Sequence, residues 1–261
     1  MVASGVMDLS AGSIVSLCGV LTALALHAGM GIAESCLIGI AAGGLMGGLN
    51  GVLIHCTGIN FFVLTLASSG MLRGVSLMIT DGKPVTKFGK EFMQLGIGRI
   101  GELQLPVLFA LALILIFFPL LFHTKLGNYI QALGGSETAL KRAGVRTGFY
   151  RIFVHVFLGI TAAVTAIIIT ARLNSAEPNA GMNMEFDAVT AVIMGGTPIR
   201  GGTASITGTV LAVLILGIIR NGLTLLSVSS DFQQWITGFL LLASVLISEI
   251  KVWKFRTLIK S

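Results

Sequence analysis

Seven apolar runs, each close to the length of a bilayer crossing, restrict what this chain can fold into more than any motif it carries. A spanning helix needs roughly 17 to 25 mostly apolar residues. Such runs occupy positions 11–27, 32–54, 61–80, 105–123, 151–171, 204–222 and 232–249. An eighth, at 187–198, is shorter and ends in "MGGTPIRGG", where Gly195, Gly196, Pro198, Gly201 and Gly202 cannot continue a regular helix. With 54% apolar and only 11% charged residues in 261, the composition lies outside the soluble globular range. The expected fold is an all-α integral membrane protein of about eight transmembrane helices. It is read as one transmembrane domain over 1–261, with a loop at 124–150 and a tail at 250–261.

The formal charge of +6 is explained by topology, because the basic residues lie between and after apolar runs and form no stripe with aromatics; nucleic acid is not expected as a partner. Lys125, Lys141, Arg142, Arg146 and Arg151 flank the 124–150 loop, and Lys251, Lys254, Arg256 and Lys260 make the tail. The bias of lysine and arginine towards the inner side puts both in the cytoplasm. Four crossings between them satisfy parity only if the short run crosses too. The 81–104 loop and the one holding Glu177, Glu185 and Asp187 then fall outside. Lys83, Lys87, Lys90 and Arg99 oppose that bias and are partly offset by Asp81, Glu91 and Glu102. The amino-terminal "VASGVMDLSAGS" shows neither a basic n-region nor a cleavage-like end to an apolar run, so membrane retention falls to the spans.

Enzymatic readings find little purchase. "GIGRIG" (Gly96 to Gly101) has dinucleotide-fingerprint spacing but no βαβ context, so it reads as a glycine-rich turn. No G-x-x-x-x-G-K-[ST], HExxH or G-x-S-x-G occurs, so ATP hydrolysis is not expected from this chain. Cys18, Cys36 and Cys56 lack metal or disulfide spacing and read as small hydrophobes. His55 beside Cys56 has no second ligand pair. No metal or other cofactor is expected.

Gly39, Gly43, Gly47 and Gly51 recur at every fourth position of the second run, a ridge that lets another helix approach closely in lipid. Packing within the chain is expected ahead of a dimer seam. "LNGVL" (Leu49 to Leu53) and "RNGLTL" (Arg220 to Leu225) each place Asn-Gly near the end of a span, preceded at a distance by Asp8 or Asp187. By the topology above the two lie at opposite ends, as an inverted repeat would put them. Intramembrane polar groups are the default pathway candidates: here Asp8, Asn50, Arg73 and Asn221. The bland alternatives are a helix-start role for Asp8, snorkelling for Arg73 and helix cross-bonding for the two asparagines.

In "GGSETALKRAGV" (Gly134 to Val145) Ser136 suits an N-cap, Glu137 the helix start, Lys141 and Arg142 its end, and Gly144 the C′ stop. That specifies a helix of about two turns, too short to be stable alone in water.

"MDLSAGS", "GGLNGVL", "MLRGVSLMITDGKPV", "LGNYIQALGGSETALKRAGV", "FDAVTAVIMGGTPIRGGTASITGT" and "IIRNGLTLLSVSSDFQ" follow in the order and spacing of permease subunits of ribose-type (monosaccharide) ABC importers, which the chain resembles over nearly its whole length. The resemblance implies a multi-pass bacterial inner-membrane protein with a cytoplasmic carboxyl terminus. It works with a cytoplasmic ABC ATPase, an outer solute-binding protein, and a second permease copy or a paralogue, and the substrate is a monosaccharide or related small polar solute. The segment at 134–145 would then be the coupling helix that docks on the ATPase. Gly134, Gly135, Glu137, Ala139 and Gly144 match the family pattern, and Val145 replaces the usual isoleucine. A neutral sugar needs hydrogen-bond partners and no counter-ion, so Asp8, Ser10, Asn50 and Asn221 are the expected path residues. Relative to the family the chain is amino-terminally short, since Met1 stands only seven positions before Asp8. The inverted echo is also compatible with a secondary transporter driven by an ion gradient, and the short amino terminus with an inactive, truncated permease.

Overall fold

The computed structural model describes residues 1–260, with side chains through Ser248. After a 3₁₀ turn at Val2–Ser4 come ten helices: α1 (Ala11–His27), α2 (Ile32–Thr57), α3 (Phe61–Thr80), α4 (Lys90–Ile97), α5 (Leu105–Phe122), α6 (Lys125–Arg142), α7 (Thr147–Leu173), α8 (Met184–Met194), α9 (Ile206–Leu225) and α10 (Ser230–Lys260). Extended structure is confined to two-residue bridges. β1 (Val85–Thr86) pairs antiparallel with β4 (Ser175–Ala176), and β2 (Arg99–Ile100) with β3 (Leu103–Gln104) around a turn that uses the positive φ of Gly101. The chain is an all-α membrane protein.

Six helices among the described residues have the length and apolar composition to cross a bilayer: α2, α3, α5, α7, α9 and the Ser230–Ser248 part of α10. The expected eight included α1 and the 187–198 run, and these prove shorter, at 17 and 11 helical residues. A 17-residue helix is about 25 Å long, just under the hydrocarbon thickness of about 30 Å. The backbone of α10 stays helpfully regular through the expected tail, but the tail's charged side chains lie outside those described. The 124–150 loop is mostly α6, broken at Ser136.

The chain divides into two compact units. The first comprises Met1, Asp8–Leu126 and Arg146–Glu185. Its core is α1 packed against α2, α3 and α7, with Ile14, Val15, Leu17 and Cys18 meeting Leu72, Ala162, Ala163 and Ala166. A second cluster joins Ala23, Phe88, Phe92, Ile167, Ala171 and Ala176. The α2 glycine ridge packs within the chain, as expected. A Cβ at Gly43 would overlap the carbonyl oxygen of Gly159, one at Gly47 that of His155, and one at Gly39 the Thr22 hydroxyl. In lipid this backbone-to-backbone approach replaces the hydrophobic drive that water supplies to soluble cores. On α5, by contrast, no residue is buried, leaving a wholly apolar helix turned to its surroundings.

The second unit comprises Val2–Met7, Gly127–Val145 and the chain from Phe186 on. Within it the backbones of Ala3, Gly134, Gly201 and Gly202 meet closely, and Gly202 N–H donates to Ala3 O at 2.9 Å.

Candidate functional site

Three of the expected path residues converge. Asp8 Oδ1 accepts from the Ser10 backbone N–H at 2.7 Å and from the Ser10 hydroxyl, and Ser10 Oγ accepts from Asn50 Nδ2 at 2.9 Å. All three are buried, at 6%, 0% and 3% exposure. Asp8 therefore makes an Asx turn onto the residue that opens α1, instead of capping free N–H groups of the helix. Asn50 carries the link to α2. The third wall is α7, where Gly51 packs on Ile152 and the side chain of His155. His155 is fully buried, with Nδ1 at 2.8 Å from Arg151 O; a carbonyl only accepts, so Nδ1 carries the proton. Asp8 Oδ2 and His155 Nε2 are buried without a hydrogen bond among the described residues. The histidine was not legible as part of this group, since nothing in its own sequence neighbourhood points to Asp8.

Arg73 is engaged by main chain. It reaches from α3 to the segment after α7, where its Nη1 donates to Ala180 O at 2.8 Å and to Pro178 O at 3.3 Å. Ser16 of α1 donates to the same Pro178 carbonyl. This segment departs from the expectation of a plain outer loop. Ala176 packs at the level of Ala23, Pro178 is bonded at Ser16, and the backbone of Gly181 lies against Gly12. The segment makes this passage in turns, with Ala180 N–H bonded to Glu177 O at 2.9 Å and Met184 N–H to Gly181 O at 3.1 Å. Positions 176–181 thus double back along α1 into the depth of the first unit. Non-helical backbone at such depth requires its carbonyls to be satisfied by protein or to line a polar path. The Ser16 hydroxyl and the Arg73 guanidinium supply that here.

Two further hydroxyls lie on the shared face. Ser13 and Ser69 are bonded at 2.8 Å, joining α1 to α3. Ser13 and Ser16 are one turn apart on α1, and Ser69 and Arg73 one turn apart on α3, so both pairs line one contact. Glu185 comes to the same place, its Oε2 against Gly12, within electrostatic reach of Arg73.

The second echo is built differently. Asp187 of α8 takes a two-oxygen contact from Arg220 Nη2 at 2.8 and 2.9 Å, with the side chains 30% and 54% exposed. Asn221, the neighbour of Arg220 on α9, is exposed and belongs to the second unit.

The charged segment takes the predicted form. Ser136 leaves helical geometry, with φ −164° and ψ 100°, and its Oγ accepts from Ala139 N–H at 3.2 Å. Glu137 pairs with Lys141 at 3.0 Å. The end is a Schellman motif: Val145 N–H to Leu140 O at 3.2 Å and Gly144 N–H to Lys141 O at 3.0 Å, with Gly144 at φ 78°. Leu140 is buried while Thr138, Ala139, Lys141, Arg142 and Gly144 are exposed, so the short helix is anchored on one side and open on the other. Gly135 is exposed. Gly134 is occupied in packing, since a Cβ there would overlap Ala3 O.

The family model described as "Branched-chain amino acid transport system / permease component" matches residues 1–245. The ribose import permease protein of Escherichia coli (strain K12) is 38% identical over 253 residues, covering 94% of this chain and 78% of that protein. The D-allose transport system permease protein of the same strain is 35% identical over 245 residues, covering 94% and 75%. Its L-arabinose transport system permease protein is 34% identical over 259 residues, covering 98% and 78%. No solved structure matches the chain.

Proposed function

The chain belongs to the family of branched-chain amino acid transport system permease components, and from that premise we propose that it is the membrane subunit of an ATP-binding-cassette sugar importer. The observation that carries the reading is identity of 34–38% to permeases named for ribose, D-allose and L-arabinose, over three quarters or more of their length. The chain sits in a bacterial inner membrane as a multi-pass protein with its carboxyl terminus in the cytoplasm. It pairs with a second permease copy or a paralogue, receives solute from an outer binding protein, and relies on a cytoplasmic ATPase for hydrolysis.

Transport is by alternating access. The protein shifts between outward- and inward-open states, and partners move that equilibrium only through differential affinity for the two. The lever is the capped helix from Glu137 to Arg142. Its exposed side, with Ala139 and Gly144, docks on the ATPase, and the Gly134–Gly135 step before the Ser136 break transmits the movement. Leu140, buried beneath it, supports this assignment by making the helix a fixed projection.

The test is uptake by the permease co-reconstituted with its ATPase and sugar-loaded binding protein. Vanadate-sensitive accumulation is expected. Glu137→Ala and Gly144→Val should lower uptake while leaving the protein inserted. Accumulation that follows an ion gradient without ATP would establish a secondary transporter in its place, and normal uptake with normal ATPase association in both variants would remove the coupling role.

A further inference from the structure

Arg73 is the most exceptional side chain of the first unit: a guanidinium inside a spanning helix, only half-buried, whose hydrogen bonds all run through Nη1. A guanidinium carries five N–H donors in a fixed fork, so the Nε and Nη2 donors remain for another acceptor. An ionisable group at membrane depth is costly unless it faces protein or a polar path. A lysine or an amide would satisfy two carbonyls as well.

What surrounds those spare donors defines the chemistry. Ser69 stands one turn away on α3, half-buried and bonded at 2.8 Å to the fully buried Ser13 of α1. Each hydroxyl can donate once and accept twice, so their mutual bond leaves donor and acceptor capacity open. The Glu185 carboxyl group stands within electrostatic reach of the guanidinium, so a solute here need not bring a negative charge of its own. The floor is main chain, the re-entrant 176–181 segment seated against Gly12. Irregular backbone beside helix interiors at membrane depth is how transporters build solute sites.

We propose that Arg73 and Ser69, on the face of α3 that meets α1 beside the re-entrant segment, form a contact for the hydroxyl groups of a neutral polyhydroxy solute in passage. Arg73 donates through Nε and Nη2 to solute oxygens, Ser69 donates and accepts, and the buried Ser13 holds the Ser69 hydroxyl in place. This rests on the reading of the chain as a sugar-importer permease and adds to it the residues that meet the sugar. Ser16, committed to Pro178 O, belongs to the seating of the segment and not to the solute.

The complete transporter, with ATPase and binding protein in proteoliposomes, is assayed for uptake of D-ribose, D-allose and L-arabinose and of deoxy analogues of whichever the wild type carries. Arg73→Gln should lower uptake about tenfold or more, the scale of a lost charge-assisted hydrogen bond, with folded yield kept. Arg73→Lys should fall in between. Ser69→Ala should lower uptake several-fold, and the loss should shrink for one particular deoxy analogue, the one lacking the hydroxyl that the serine meets. Ser16→Ala, as the structural comparator, should act equally on every sugar. Wild-type rates in Arg73→Gln and Ser69→Ala overturn the proposal. So does a loss in Ser69→Ala or Arg73→Lys that is the same factor for every sugar and analogue, because the residues then only hold the segment. A wild type that carries branched-chain amino acids and none of the sugars overturns the sugar reading itself, a result seen before any variant is made.

Discussion

Asp8 and Asp187 each stand near the start of an apolar helix, and each is followed by an Asn-Gly step in a later helix, yet the two surroundings share almost nothing. Asp8 is buried and held by a backbone N–H, a hydroxyl and, through that hydroxyl, the Asn50 amide. Asp187 is partly exposed and paired with a guanidinium. One substitution in the echo accounts for part of the difference, since the position before Asn-Gly is Leu49 in the first and Arg220 in the second. The rest comes from α7, which covers the first group through glycine contacts that the Asn-Gly half of α9 lacks: around Gly217 and Gly222 a Cβ would meet nothing, and the close approach of Gly208 to Gly195 lies at the other end of that helix. A repeated polar pattern thus specifies which atoms can pair, and the helix laid over it decides whether they do so in a dry or an open place.

The sharpest way to break this contrast is to lift α7. Gly47→Leu sets a side chain against the His155 carbonyl, where backbone cannot yield, and should destabilise the protein by about 3 kcal/mol or more, read as a lost or lowered thermal transition in detergent. Unchanged stability would mean that the α2–α7 approach is not what buries Asp8. Ser10→Ala comes next, because it strands the buried Asn50 amide and removes one bond from Asp8. About 2 kcal/mol is expected, and reversible unfolding in mixed detergent measures it. The exposed counterpart should be tolerant: a double-mutant cycle on Asp187→Ala and Arg220→Ala should return a coupling of about 1 kcal/mol or less that shrinks with added salt. A larger, salt-insensitive value would make the two groups alike after all. Asn221→Ala, exposed and outside that pair, should change stability by less than about 0.5 kcal/mol.

Local chemistry was readable residue by residue. Ser136 and Gly144 announced both ends of the short helix, because a cap is a bond between neighbours in sequence, and the structure puts each bond where those residue types require it. The Asp8–Ser10 turn is of the same kind. The α2 ridge predicted close packing but not the identity of its partner: that Gly159 and His155 receive it follows from α7 lying there. Of the expected path residues, Asp8, Ser10 and Asn50 are joined by hydrogen bonds across forty positions, and Asn221 belongs to the second unit. Arg73 is the clearest case of what local reading misses. Its acceptors are more than a hundred positions away, carried by carbonyls that every residue possesses, so no side-chain pattern could mark them.

By itself the amino-acid sequence determined that this chain lives in a membrane, where its long apolar helices run, where its glycines permit close approach and how its charged helix begins and stops. Those properties depend on hydrophobicity, backbone freedom and bonds spanning a few residues. The tertiary structure alone decided that positions 176–181 turn back along α1, that His155 packs on Gly51 beside the Asp8–Ser10–Asn50 group, and that Arg73 and Ser16 share one carbonyl. Each is a contact between backbone or rings far apart in the chain, and its energy depends on which helices meet, a relation that no stretch of residues encodes in isolation.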